Sequence, residues 1–269
     1  MLPNSDLPTD VDWAHWVVRW DRMQDRYLAR RDERFALMVG IVSATQDAPT
    51  GLLDLGCGTG SLMVPLLEAF PEAQVYGLDL DPTLLLLARE RLAPYGERAR
   101  LVHADLRAPS WPAELPLPLD AVVSATALHW LPPPQLAALY GRIAGALRLG
   151  GVFLNADHAA SAHQPLQRAW ERQRTQALGR QSAATADDWD GFWAAYGEAL
   201  RVDIRHLHEQ FIGLWEGVDE GMPLAWHLHQ LRNGGFAAVD CFWRCDCDAI
   251  YGGFRLQPAR EELPAPGAP

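Results

Sequence analysis

Three glycines spaced two apart follow an aspartate in LLDLGCGTG, residues 52–60. Glycine accepts positive φ and lets a ligand approach the backbone, so Gly56, Gly58 and Gly60 at the end of an apolar run suit a nucleotide-like ligand at a strand's C-terminal edge. The spacing is G-x-G-x-G, not the G-x-G-x-x-G of dinucleotide sites, because the third positions fall on Ser61 and Met63. Asp54 precedes the turn, where a carboxylate is costly unless it fixes the loop or serves a cationic ligand. Asp79 in VYGLDLDP ends a second apolar run and can accept hydrogen bonds from both hydroxyls of a ribose, whereas Asp81, directly before Pro82, reads as a helix N-cap. Asp105 in LVHADL ends a third run and could reach an adenine amino group.

Positioning these residues requires parallel strands. GLLDLG, QVYGLDLD, ARLVHADL, DAVVSATALHW and GGVFLNADH are short apolar runs that alternate with helical patterns between residues 50 and 157, as expected of a doubly wound α/β sheet covered on both faces. Residues 10–45 form an N-terminal helical cap with Trp13, Trp16, Val17, Trp20, Met23 and Tyr27 on one face. Residues 158–233 hold helical patterns that read as a lid inserted after the fifth strand, and 234–257 read as an antiparallel hairpin. The tail 258–269, rich in Pro, Ala and Glu, reads as disordered. The whole is expected to be one domain over 1–257.

Composition narrows the function. A net charge of −11 leaves no excess of basic surface for phosphate backbones or anionic lipid. The four cysteines include no C-x-x-C pair, no basic region leads an apolar stretch at the start, and no run of eighteen apolar residues occurs. A reduced, soluble, cytoplasmic protein is expected, a monomer or homodimer. Two His-Leu-His pairs, at 206–208 and 227–229, lie in helical text where residues two apart diverge, and Cys245-x-Cys247 matches no zinc spacing, so no metal is expected.

These motifs resemble the class I S-adenosylmethionine-dependent methyltransferases: LLDLGCGTG is similar to their first motif, VYGLDLDPTLLLLAR to their second strand with its acidic end, and LVHADL to their adenine-side loop. LDAVVSATALHWLPPPQLAALYGRIAGALRLGGVFLNADH resembles their fourth strand, helix and fifth strand, and LRNGGFAAVDCFWRCDCDAIYGGFR their final helix and hairpin. The resemblance covers about residues 50–157 and 223–256. It implies a Rossmann-like, seven-stranded mixed sheet in the order 3-2-1-4-5-7-6, with S-adenosylmethionine as cofactor and S-adenosylhomocysteine as product. Gly56, Cys57 and Gly58 would pack on the methionine part, Asp79 would take the ribose, Leu80 would lie against the adenine, and Asp105 and Leu106 would face its edge. The Ser124 and Ala125 backbone would meet the amino-acid group. Where many relatives have asparagine this chain has Ala125, so only a backbone contact survives there.

A cofactor of this kind needs an aligned acceptor and, for a protonated one, a base. His129, after the fourth strand, is the first candidate for base or substrate contact. It is equally readable as a loop histidine that closes the pocket floor with Trp130. His158, beside Asp157 at the end of the fifth strand, is the second. A roof containing Trp170, Trp189, Phe192, Trp193, Tyr196, Trp215 and Trp226, together with the cap's aromatics, suits a small apolar or aromatic acceptor if several face the pocket. Packing of the roof's own core is the alternative for most of them. Arg19, Arg22, Arg26 and Arg174 read as solvated helix faces. The function expected is methylation of a small molecule. Rival readings are a cofactor-binding protein that uses a modified cofactor or catalyses a non-methylating reaction, an RNA-modifying methyltransferase, and an NAD-dependent oxidoreductase.

Overall fold

The computed structural model describes residues 8–28, 30–181, 187–212 and 221–256. Seven strands form one sheet: β1 (Gly51–Leu55), β2 (Gln74–Asp79), β3 (Ala99–His103), β4 (Leu119–Ala125), β5 (Leu147–His158), β6 (Ala238–Cys245) and β7 (Asp248–Phe254). Their order is β3-β2-β1-β4-β5-β7-β6, as the resemblance implies. β1 to β5 are parallel neighbours, whereas β7 runs antiparallel to both β5 and β6. The expected hairpin therefore closes the sheet, its turn at Asp246, where φ is +52°.

Alternation along the strands builds two cores. Leu53, Leu55, Val122, Phe153 and Tyr251 pack on one face beneath α5 (Pro133–Ala146) and α9 (Leu224–Asn233). Leu52, Val123, Val152 and Leu154 pack on the other beneath α2 (Arg31–Thr45) and α3 (Met63–Ala69). Each such leucine or valine, wholly removed from water, contributes about 1.5–3 kcal/mol. Asp54 shares the Leu52 face and is 2% exposed. A carboxylate thus sits where the pattern supplies apolar side chains.

α4 (Pro82–Leu92) starts as the sequence predicts. Pro82 occupies the first turn, and Asp81 Oδ1 accepts from the N–H groups of Thr83 at 2.8 Å and Leu84 at 3.4 Å. The N-terminal cap is two helices, α1 (Trp13–Tyr27) and α2, because the chain turns through Leu28 into the left-handed Arg30 at φ +56°. The insertion supplies α6 (Gln164–Gln181), α7 (Trp189–Leu200) and α8 (Ile204–Ile212), followed by α9. Trp16, Trp20, Met23, Phe192, Trp193 and Tyr196 join α1 and α7 to Leu86 and Leu87 of α4 in a third apolar cluster. The roof accordingly rests on the half of the sheet that ends in Asp79. No helix among the described residues is long and apolar enough to cross a membrane. The expected disordered tail, 258–269, lies outside the described residues.

Candidate active site

The ends of β1, β2 and β4 open into a cavity of about 360 Å³ beneath α1, α7 and α8, a volume suited to a small ligand. Its floor is the glycine turn. Gly56, Gly58 and Gly60 have φ of +67°, +53° and +75°, a region that side chains rarely adopt. A Cβ on Gly56 would lie 2.4 Å from Cβ of Ala127. The turn's amides serve the protein itself: Gly56 and Cys57 N–H both donate to the Leu78 carbonyl, at 2.8 and 2.9 Å, and Gly60 N–H donates to Cys57 O at 2.8 Å. Gly58 N–H donates to Asp79 Oδ2 at 2.7 Å. These four amides are therefore engaged, and the turn presents Cα surface where a pyrophosphate would need donors.

Three carboxylates surround this floor. Asp79 accepts from Gly58 through Oδ2 and from Asp81 N–H through Oδ1 at 2.8 Å. Burial pushes its pKa up to about 6 against the lowering effect of those bonds. Asp54 has an Oδ2 with no hydrogen-bond partner, and burial, with Asp79 adding, raises its pKa to about 8. Asp81 Oδ2 lies 2.7 Å from Nε2 of His208 on α8. Buried acids with an unsatisfied oxygen call for a cation. S-adenosylmethionine, which carries an ammonium and a sulfonium and has a ribose for Asp79, fits this end on both counts.

Leu80 and Leu106 line the neighbouring wall together with Asp105. Burial raises the Asp105 pKa, but hydrogen bonds from Arg107 outweigh that and hold it below the ordinary range. Arg107 Nε donates to its Oδ1 at 2.8 Å and Nη2 to its Oδ2 at 2.6 Å. Two expected contacts need correction. Ser124 is fully buried and its Oγ donates to the Leu55 carbonyl at 2.6 Å, while Gly60 packs against Leu92. Neither borders the cavity; each shapes the wall from behind. Ala125, Thr126 and Ala127 border it instead. Thr126 has φ +51°, unusual for a β-branched residue, and its N–H donates to Ala156 O at 3.0 Å.

The opposite end holds two histidine–aspartate pairs. His129, in a short 3₁₀ turn over Leu128–Trp130, has Nδ1 at 2.7 Å from Asp157 Oδ1 and donates its backbone N–H to Oδ2 at 3.1 Å. Burial raises the Asp157 pKa, but His129 and the neighbouring His158 outweigh it and hold the carboxyl well below the ordinary range. An ionised Asp157 makes Nδ1 of His129 the donor and leaves the lone pair of the neutral ring on Nε2. His158 Nδ1 is 2.7 Å from Asp248 Oδ1, and its Nε2 is 3.2 Å from Nη2 of Arg174 on α6. Guanidinium only donates, so His158 Nε2 accepts from Arg174 and Nδ1–H donates to Asp248. Both histidines border the cavity, and Arg174 engages the basic nitrogen of His158.

Most of the aromatic residues pack the roof itself. Trp20, Tyr27, Trp189 and Trp193 reach the cavity wall. Trp16, Phe192 and Tyr196 fill the roof's core, with Trp13 packed against it. Trp170 lies under the Arg244 guanidinium at 4.9 Å, and Trp226 packs on the sheet. Trp215 lies outside the described residues. The histidine pairs divide as helical spacing requires: His208 reaches the cavity while His206 is exposed, and His227 is buried at 2.7 Å from the Tyr140 hydroxyl while His229 is exposed. No group of three His, Cys, Asp or Glu residues among those described could hold a metal ion. From the sequence Arg174 reads as solvated, His208 as one of a diverging helical pair and Asp248 as an unmarked residue of the hairpin. No local pattern marks them, since their partners lie 16, 127 and 90 residues away.

Comparison with known proteins agrees with this architecture. Residues 52–151 match a family described as a methyltransferase domain. A trans-aconitate 2-methyltransferase from Deinococcus radiodurans is 31% identical over 249 residues, 86% of this chain and 92% of that relative. The chain belongs to the class I S-adenosylmethionine-dependent methyltransferases. A relative of the same name from Streptomyces avermitilis is 35% identical over 120 residues, a match spanning 43% of each chain, so under half of that relative's length is covered. The S-adenosylmethionine-dependent methyltransferase SibL, solved in its apo form, shares the fold at a TM-score of 0.53 and 22% identity over 83% of this chain and 55% of its own.

Proposed function

We propose that the protein transfers a methyl group from S-adenosylmethionine to a small-molecule acceptor. The observation that carries this reading is a single cavity with buried acids at one end and the His129–Asp157 pair at the other. Bound S-adenosylmethionine supplies a methyl on a sulfonium sulfur, which keeps the bonding pair and leaves as the neutral thioether of S-adenosylhomocysteine when the acceptor's lone pair takes the methyl.

The chain's own residues set the rest. Asp79 holds the ribose hydroxyls with the lone pairs left beside its two backbone bonds, and Asp54 receives the ammonium. Leu80 and Leu106 enclose the base, with Asp105 near its edge, and the Cα faces of Gly56 and Gly58 admit the methionine part. His129 Nε2 takes the acceptor's proton where there is one, and Asp157 stabilises the imidazolium so formed. The roof covers the cavity from one side, and the net charge of −11 argues against RNA as acceptor.

Calorimetry with S-adenosylmethionine, S-adenosylhomocysteine and NAD tests the cofactor half of the proposal: micromolar affinity for the first two and none for NAD are expected. A homocysteine-release assay over small acceptors, beginning with trans-aconitate because relatives carry that name, tests the transfer. Silence from both sulfur ligands would overturn the reading.

A further inference from the structure

The cavity is polarised. Asp54, Asp79 and Asp81 gather at the cofactor end, whereas Arg174 stands beside His158 at the far end. The other arginines that border the cavity are paired: Arg31 Nη1 lies 3.1 Å from Asp21 and Arg107 Nη2 lies 2.6 Å from Asp105. Arg174 has no carboxylate partner among the described residues, and its hydrogen bond goes to a ring nitrogen. Two acids at this end are already engaged, Asp157 by His129 and Asp248 by His158. Behind them Arg34, 1% exposed, donates to the Ala156 carbonyl at 2.8 Å and lies 3.8 Å from Asp248.

From this arrangement we infer that Arg174 binds a carboxylate of the acceptor, so that the substrate is an organic acid. The inference rests on the methyltransferase reading and adds the acceptor's class to it. Guanidinium offers five donors in a fixed fork, and His158 takes one of them, which leaves the fork's other N–H groups for a planar anion. His158 is held in turn by Asp248, so Arg174 is aimed by a chain of two hydrogen bonds whose geometry leaves little rotamer freedom to lose on binding. Arg34 compensates Asp248 from behind. Arg174 also acts on Asp248, but it shares that carboxylate with Arg34 and His158, and the N–H groups it does not give to His158 remain for a ligand. His158 is thus a positioning residue here, where the sequence suggested a base. Arg174 meets the charged group of the acid.

The test is calorimetry on the full chain saturated with S-adenosylhomocysteine, so that acceptors bind without turnover. The probes are trans-aconitate, (E)-cinnamate, benzoate and indole-3-acetate, each against its full methyl ester. At least one acid should bind tenfold or more tightly than its ester. Arg174→Gln should weaken that acid at least tenfold, leave the ester unchanged and keep the affinity for S-adenosylhomocysteine, while Arg174→Lys retains part of the preference. Should Arg174→Gln lose S-adenosylhomocysteine, Arg174→Met, closer in length and bulk, decides the same comparison. Equal affinities for acid and ester, no binding by any of the four acids, or an acid affinity indifferent to Arg174 would overturn the inference while leaving the methyltransferase reading intact. Failure of the unaltered protein to bind S-adenosylhomocysteine would instead remove that reading and this one with it.

Discussion

The proposed pairing of Asp54 with the cofactor's ammonium makes affinity depend on pH in a way that can be worked out beforehand. With a pKa near 8 in the ligand-free protein, its carboxyl carries a proton through most of the neutral range, and the proton must leave before the group can face an ammonium. Affinity then scales with the ionised fraction, about one half at pH 8, one tenth at pH 7 and one hundredth at pH 6. The dissociation constant for S-adenosylhomocysteine should therefore rise roughly 50-fold from pH 8 to pH 6, equivalent to about 2.3 kcal/mol. Asp79, at about 6, steepens the fall below that pH. Above about pH 8 the ligand's own amino group deprotonates and affinity declines again, giving a bell. Calorimetry in two buffers of different ionisation enthalpy should also register close to one proton released at pH 7. Asp54→Asn should flatten the limb between pH 6 and 8. A flat profile in the unaltered protein, or an unaltered slope in Asp54→Asn, would refute the assignment of Asp54 to the ammonium.

Other consequences follow from the same geometry. Between about pH 4 and 8 the folded, ligand-free protein holds a proton on Asp54 that the unfolded chain has lost, so its contribution to stability falls as pH rises through that window. Melting temperatures of the ligand-free protein at pH 6 and 8 should reflect this, with a smaller difference in Asp54→Asn. Asp79→Ala removes the proposed ribose acceptors and orphans the Gly58 and Asp81 amides; charged hydrogen bonds of about 1.5–3 kcal/mol each predict at least a tenfold loss of cofactor affinity by calorimetry. His129→Asn should leave that affinity unchanged and slow turnover about 10²–10⁴-fold for an acceptor that must lose a proton; loss of cofactor binding instead would make His129 a wall residue. Gly56→Ala combines a left-handed φ with a 2.4 Å approach to Ala127, and urea melts should show about 2–5 kcal/mol of destabilisation.

Much of the glycine-turn end of the cavity was legible in the sequence because local rules govern it. Positive φ wants glycine at positions 56, 58 and 60, and strand alternation makes Asp54 conspicuous among leucines. Pro82 and Asp81 announce the start of α4. The opposite end, beside His158, obeys no local rule. Arg174 lies on a polar helix whose composition suits solvent equally well, and only docking of α6 against the end of β5 brings it to His158. His208 meets Asp81, the N-cap of α4, across 127 residues of chain. The break between α1 and α2 also escaped, since Arg30 adopts a left-handed φ without glycine or asparagine to mark it. The roof's aromatic residues could be listed from the sequence but not divided between core and cavity, because that division depends on how the inserted helices turn.

The indoles that border the cavity give the protein a built-in optical gauge. Trp20 and Trp189 stand 6.0 Å apart and Trp189 and Trp193 5.6 Å apart, ring centre to ring centre. At such separations excitation passes readily from one ring to the next, so an occupant that quenches one of them dims all three. Arrival and departure of cofactor or acceptor can accordingly be timed by intrinsic emission in a stopped-flow instrument, without label or coupled enzyme, and Trp189→Phe would show which ring carries the signal.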